Sequence, residues 1–286
     1  MRKNQSSLTA MGIAISRAVE SEKPEDERIC YDPYARSFVT SWFYQLTRFF
    51  IDIGYAERRG PGVLGFLVAR ERYIDDTLKA SLETGLQQVV ILGAGFDSRA
   101  YRIEGLSCRV KVFEVDHPAT QQDKLERLQK IFGKTPEQVT YVPVDFNTQR
   151  LEERLPESGY RTDLKTLFIW QGVSMYLTPA GVDATLSFVI HSSAPGSGII
   201  FDYVYQSVLD GAQKHGEVSG MRRYRFMTGE ELTFGIPDGT IERFMKERGF
   251  SLVKDVNGDD LKQAYFKGKN AARKVVSGYG IVLGIV

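Results

Sequence analysis

Apolar positions change their spacing near residue 88. Upstream they recur at helical intervals. Downstream, short β-rich runs with little alternation are separated by segments of helix length. The runs are Val89-Val90-Ile91-Leu92, Val110 to Val115, Val139 to Val144, Thr166 to Trp170 and Gly198 to Val204. Between them lie Ala119 to Phe132, where Leu125, Leu128 and Phe132 keep one face, and Pro179 to Ser192. Strands that are apolar on both faces and spaced by helices predict a parallel sheet covered on both sides, a doubly wound α/β domain. Thr240 to Arg248 reads as the last helix. Strands near Ser251–Val256 and Tyr279–Val286, with no clear helix between them, predict an antiparallel hairpin at the sheet edge.

Two segments fall outside this alternation. Residues 1–62 read as a helical arm and lid: a first helix, the polar loop Ser21 to Arg28, then an aromatic-rich stretch over 34–59 that predicts helices packed on something large. Gly60-Pro61-Gly62 is a turn, and Val63 to Leu82 is helical with Leu67, Tyr73, Ile74 and Leu78 inward. Residues 205–240 read as a cap inserted over the strand ends. The division is therefore 1–62 arm, 63–204 core, 205–240 cap and 241–286 the rest of the core.

Composition narrows the function classes. Apolar residues are 42% and charged residues 26% of 286, which excludes a disordered or fibrous chain. Thirty-seven basic against 36 acidic residues give a net charge of +1, and a neutral chain gives no support to nucleic-acid binding. Cys30 and Cys108 are too few for a disulfide framework. No stretch has the length and apolarity of a signal or membrane span, so a cytoplasmic protein without membrane partners is expected.

The strand Val89–Leu92 runs into Gly93-Ala94-Gly95-Phe96-Asp97-Ser98-Arg99. Glycines at such a turn let a ligand approach the backbone. Ser98 stands where a dinucleotide fingerprint has its third glycine, which weakens a nicotinamide-cofactor reading. The next strand carries Glu114 and Asp116 about 20 residues on, where an acid accepts both ribose hydroxyls. The third ends in Asp145-Phe146, placed to meet an adenine amino group and ring. Solvated carboxylates at strand ends would look the same one at a time; three after a glycine turn favour a nucleoside pocket.

These residues, with Phe113 to Pro118, Gln171-Gly172-Val173-Ser174-Met175-Tyr176-Leu177, Tyr31 to Ala35 and Arg70 to Asp76, closely resemble the leucine carboxyl methyltransferase-like group. The resemblance covers about residues 30–180; nothing beyond 205 matches. It implies a class I methyltransferase fold, Rossmann-like, with a mostly parallel seven-stranded sheet, and S-adenosylmethionine as cofactor. It further implies Arg70 on the methionine carboxylate, Gly93, Ala94 and Gly95 along the amino-acid moiety, Asp116 with Glu114 second on the ribose, and Asp145 and Phe146 on the adenine. Gln171 stands where the group commonly has Glu, and lacks the charge that favours the cofactor ammonium.

The implied reaction is O-methylation of a carboxylate or hydroxyl on a small molecule, including polyketide-like or peptide acceptors. A carboxylate needs no base; a phenol gains from one. His117 follows the ribose strand and His191 ends a helix, both suited to structural roles. Tyr31, Tyr176, Tyr203, His215 and Arg223 are the acceptor-side candidates, the last within a cluster spanning Arg222–Arg225. No metal set, P-loop or hydrolase elbow is present. An NAD-dependent oxidoreductase and a non-catalytic S-adenosylmethionine-binding protein stay open as alternatives, and the oligomeric state is undetermined.

Overall fold

The computed structural model describes residues 8–145, 149–211 and 232–286. Phe146, His215, Arg223 and the rest of the arginine cluster lie outside them.

Seven strands form one sheet: β1 (Gln88–Leu92), β2 (Lys111–Asp116), β3 (Val139–Pro143), β4 (Thr166–Trp170), β5 (Gly198–Val204), β6 (Leu252–Asn257) and β7 (Tyr279–Ile285). Their order is β3-β2-β1-β4-β5-β7-β6. The first five are mutually parallel, and β7 runs antiparallel to both neighbours. The chain reverses its direction of winding at β1, and the carboxyl ends of β1 and β4 open a crevice there.

β1 shows how the sequence builds two cores. Val89 and Ile91 join a layer with Ile74, Leu78 and Leu261, while Val90 and Leu92 face Phe113, Phe168 and Leu186. Successive side chains point to opposite faces, so an all-apolar strand must be covered twice.

The closing strands form the expected antiparallel edge, but not as a direct hairpin. β7 inserts between β5 and β6, and a helix, Gly258–Tyr265, separates β6 from β7. The Asn257 side chain accepts from the backbone N–H groups of Asp259 and Asp260, and Asp260 returns the bond to Asn257 N. This capping box starts a helix immediately behind the strand, a signal that the apolar pattern does not carry.

The arm comprises α1 (Leu8–Ser21), α2 (Ser41–Asp52) and α3 (Tyr55–Arg59), followed by α4 (Val63–Glu83). The aromatic stretch is not uniformly packed inward. Phe38 and Tyr44 are buried, whereas Trp42, Leu46, Phe49, Phe50 and Ile53 form an exposed stripe along α2. The C-terminal connection ties to the arm: Arg273 pairs with Glu20 at 2.8 Å, and Val276 N donates to Gly62 O. Both described flanks of the 205–240 segment are fastened at the carboxyl edge of the sheet: Tyr205 N donates to Gly278 O on one, and on the other Ile236 N donates to Val204 O and Thr233 N to Met175 O.

Candidate functional site

The glycine turn closes β1 onto β2. Gly93 N and Ala94 N both donate to Val115 O, at 2.8 and 3.0 Å. Gly93 and Gly95 have φ of +66° and +44°, backbone that a side chain strains. A Cβ on Gly93 would lie 2.5 Å from Val173, and one on Gly95 3.3 Å from Ala10. The turn is therefore walled by the segment after β4 and roofed by α1, whose Ile13 also lies over Gly172.

Asp116 sits at the end of β2. One carboxylate oxygen accepts from Gly95 N and the other from His117 N, at 2.6 Å. Burial pushes its carboxyl above the ordinary aspartate range despite these bonds. Val144 N donates to Asp116 O, which brings the β3 end, and with it Asp145, beside Asp116. Glu114 is placed differently from Asp116: it is buried, ion-paired to Lys124 at 2.7 Å, and accepts from the Tyr101 hydroxyl. Of the two acids, Asp116 is the one at the turn.

Arg70, on α4, reaches the same crevice. It is 3% exposed and pairs with Asp202, whose other oxygen accepts from Gly172 N at 2.6 Å. Arg70 Nε and Nη2 are closed to solvent and have no partner. Beside Gly172, Gln171 donates through Nε2 to Glu71 at 2.9 Å, while its Oε1 is also closed off and unpartnered. A buried cation with spare donors and a buried acceptor suit an α-amino acid zwitterion; the glycine turn and Asp116 suit a nucleoside. Together these residues fit S-adenosylmethionine.

Sequence reasoning missed what holds this arrangement. Four buried carboxylates, Asp32, Glu71, Asp75 and Asp97, enclose three guanidiniums, Arg17, Arg99 and Arg102. Arg99 meets Glu71 at 2.9 Å and Asp75 at 2.8 Å; Arg102 meets the same two at 2.8 and 2.6 Å. Asp32 is ion-paired with Arg17 at 2.9 Å and accepts from the Ser98 hydroxyl at 2.7 Å and from Tyr34 N and Ala35 N. Complete burial pushes Glu71 up, yet Arg99, Arg17 and Arg102 outweigh it and hold this carboxyl well below its usual range. Ser98, in place of the third glycine, thus serves as a tie to the arm. The readable signals were charges interrupting apolar periodicity: Arg70, Glu71 and Asp75 on α4, and Asp202 inside Ile-Ile-Phe-Asp-Tyr-Val.

The described acceptor-side candidates, Tyr31, Tyr176 and Tyr203, are not brought together. Tyr31 is 48% exposed beneath Arg28 and lines an open cavity of about 820 Å³ beside α4, with Cys30, Arg72 and Lys79. Tyr203 is 1% exposed, its hydroxyl spent on Asp255 at 3.0 Å and its ring so close to Gly280 that a Cβ there would lie 2.6 Å away. It is a core residue. Tyr176 stays half-buried in the turn after β4, among Met175, Val204 and Val208. His117 caps the helix Pro118–Phe132 by accepting from Ala119 N, and His191 Nδ1 bonds Ser187 O at 2.8 Å. No cluster suited to a metal ion occurs among the described residues, and no described helix is long and apolar enough to cross a membrane.

The strand order is that of the class I α/β methyltransferase fold, and the family and relatives that follow make the chain an S-adenosylmethionine-dependent methyltransferase. A protein of Thermobifida fusca described as a methyltransferase shares the fold, with a TM-score of 0.59 at 16% identity over 96% of this chain and 94% of that one. The chain belongs to the leucine carboxyl methyltransferase family, which matches residues 10–190. It is 28% identical to a Bacillus subtilis protein named as an S-adenosyl-L-methionine-dependent methyltransferase, YktD, over 94% of both chains. A similarly named Mycobacterium tuberculosis protein is 26% identical over 85% of this chain and 83% of its own.

Proposed function

We propose that the protein methylates a carboxylate oxygen of a small-molecule acceptor. The carrying observation is the commitment of both described histidines to helix termini: His117 to Ala119 N and His191 to Ser187 O. An acceptor that arrives ionised needs no base, whereas an alcohol or phenol does. The family's name, leucine carboxyl methyltransferase, supports the same oxygen chemistry.

In this reading Arg70 and Gln171 bind the methionine half of the cofactor, Gly93, Ala94 and Gly95 lie along it, Asp116 accepts the ribose hydroxyls and Asp145 meets the adenine edge. Bound there, S-adenosylmethionine supplies a methyl group on a sulfonium for in-line displacement. The chain's own work is alignment and exclusion of water, with α1 roofing the turn through Ala10 and Ile13. Arg223 and His215, in the cap, remain acceptor-side candidates together with Tyr176 and Tyr31.

A panel of carboxylic acids and phenols, incubated with methyl-labelled cofactor and then treated with mild alkali, tests the proposal. Methyl esters release labelled methanol; aryl ethers do not. Transfer only into alkali-stable products would replace the carboxylate reading with hydroxyl methylation.

A further inference from the structure

Gln171 is the point where the crevice departs from simple charge complementarity. Its amide has two faces of opposite polarity, and which one meets the ligand decides whether an ammonium is attracted or repelled. Its Nε2 donates to Glu71 Oε2 at 2.9 Å, and its Oε1 is closed to solvent with no partner. A few ångströms away, Arg70 shows the complementary condition: the position of a Cβ on Gly172 would be 3.6 Å from Arg70 Nη1, and Arg70 Nη2 and Nε lack acceptors. One orphaned acceptor and one orphaned cation flank the same glycine.

We infer that Glu71 is a positioning residue: it fixes the Gln171 amide with Oε1 toward the cofactor's α-ammonium, which that position takes in the site proposed above. The inference rests on the S-adenosylmethionine site described above. An ionised carboxylate only accepts, so Glu71 can engage Gln171 through the amide NH2 alone, and the oxygen must face the other way. Glu71 stays ionised because Arg99 and Arg102 pair with it at 2.9 and 2.8 Å and Arg17 stands at 3.9 Å. A neutral group at position 71 could donate instead and turn the amide over, presenting NH2 to the ammonium. The buried cluster has one more carboxylate than guanidinium, so it also leaves net negative potential on the side where the ammonium would rest.

The test measures binding of S-adenosylhomocysteine and of its analogue in which hydrogen replaces the α-amino group, by titration calorimetry. Wild type should prefer the amino form by about tenfold or more, the worth of one charge-assisted hydrogen bond. Glu71→Gln should lose most of that preference, weakening the amino form about tenfold while changing the deaminated form less than about twofold. Gln171→Leu should show the same selective loss, which ties the preference to the amide, and Glu71→Asp, which keeps the charge but withdraws it from the amide, gives the same readout if Glu71→Gln does not fold. The exchanged pair Glu71→Gln with Gln171→Glu should restore the preference. A full preference retained in folded Glu71→Gln, equal losses for both ligands in either single variant, or no preference in wild type would overturn the inference. Failure of wild type to bind either ligand would instead overturn the cofactor site itself.

Discussion

Asp202 joins two parts of the crevice through one carboxylate, with one oxygen on the Arg70 guanidinium and the other on the Gly172 amide at 2.6 Å. The pair is buried, so the arginine owes its direction to a single neighbour. Asp202→Asn keeps the shape and removes the charge. Leaving a buried cation uncompensated should destabilise the fold by about 3–5 kcal/mol. Urea unfolding would show this, and an unchanged midpoint would mean that Arg70 is held by other groups.

Gly93→Ala combines a left-handed backbone with a contact 2.5 Å from Val173. The expected loss is about 1–3 kcal/mol of stability and most of the cofactor affinity. Adding Val173→Ala should recover part of the stability, because it relieves the clash and leaves the strain. A double-mutant cycle by thermal unfolding separates the two contributions; additive effects would remove the clash from the account.

Tyr203→Phe distinguishes a core residue from an acceptor contact. Loss of the hydroxyl bond to Asp255 should cost about 1 kcal/mol, with methyl-transfer rates unchanged on any acceptor that turns over. A changed KM with unchanged stability would return Tyr203 to the acceptor side.

Cofactor binding should weaken on acidification, and should do so above the ordinary aspartate range near pH 4. The sign follows from Asp116. Burial raises its carboxyl, and a protonated carboxyl cannot accept both ribose hydroxyls. Affinity is therefore complete above the raised pKa and falls as pH drops through it. Calorimetric titrations from pH 4 to 8 measure this, and Asp116→Asn should bind weakly with that limb of the profile flattened. A wild-type profile that stays level to pH 4 would take Asp116 off the ribose.

The sheet was legible because burial on both faces leaves its mark in single residues. The runs predicted at Thr166–Trp170 and Gly198–Val204 are β4 and β5 without a shift. β6 and β7 were found as an antiparallel edge pair, but the placing of β7 against β5 and the helix between the two strands were not, because pairing order depends on where the chain returns, and the Asn257–Asp260 box that steers the return is polar and local. At the candidate site, Gly93, Gly95 and Asp116 stood out by type and spacing, and Arg70 only through the family resemblance. Glu71 and Asp75 left only a break in the apolar face of α4, and Asp32, Asp97, Arg17, Arg99 and Arg102 left no signal, since charges that neutralise one another inside a protein look like surface charges until the fold brings them together. Tyr203 was misplaced for a related reason: a strand end near the crevice does not say which way the ring turns.

The two tryptophans lie at opposite extremes of the molecule's environment. Trp42 is 70% exposed on the α2 stripe, and Trp170, at the end of β4, is 2% exposed and adjoins Gln171 in the chain. Intrinsic fluorescence therefore comes from two sources that a small quencher separates. Acrylamide dims Trp42 and spares Trp170, whose remaining emission watches the crevice from inside. Anything that settles on the stripe instead shifts only the quenchable component, so ligand entry and surface association are told apart in one cuvette without a label.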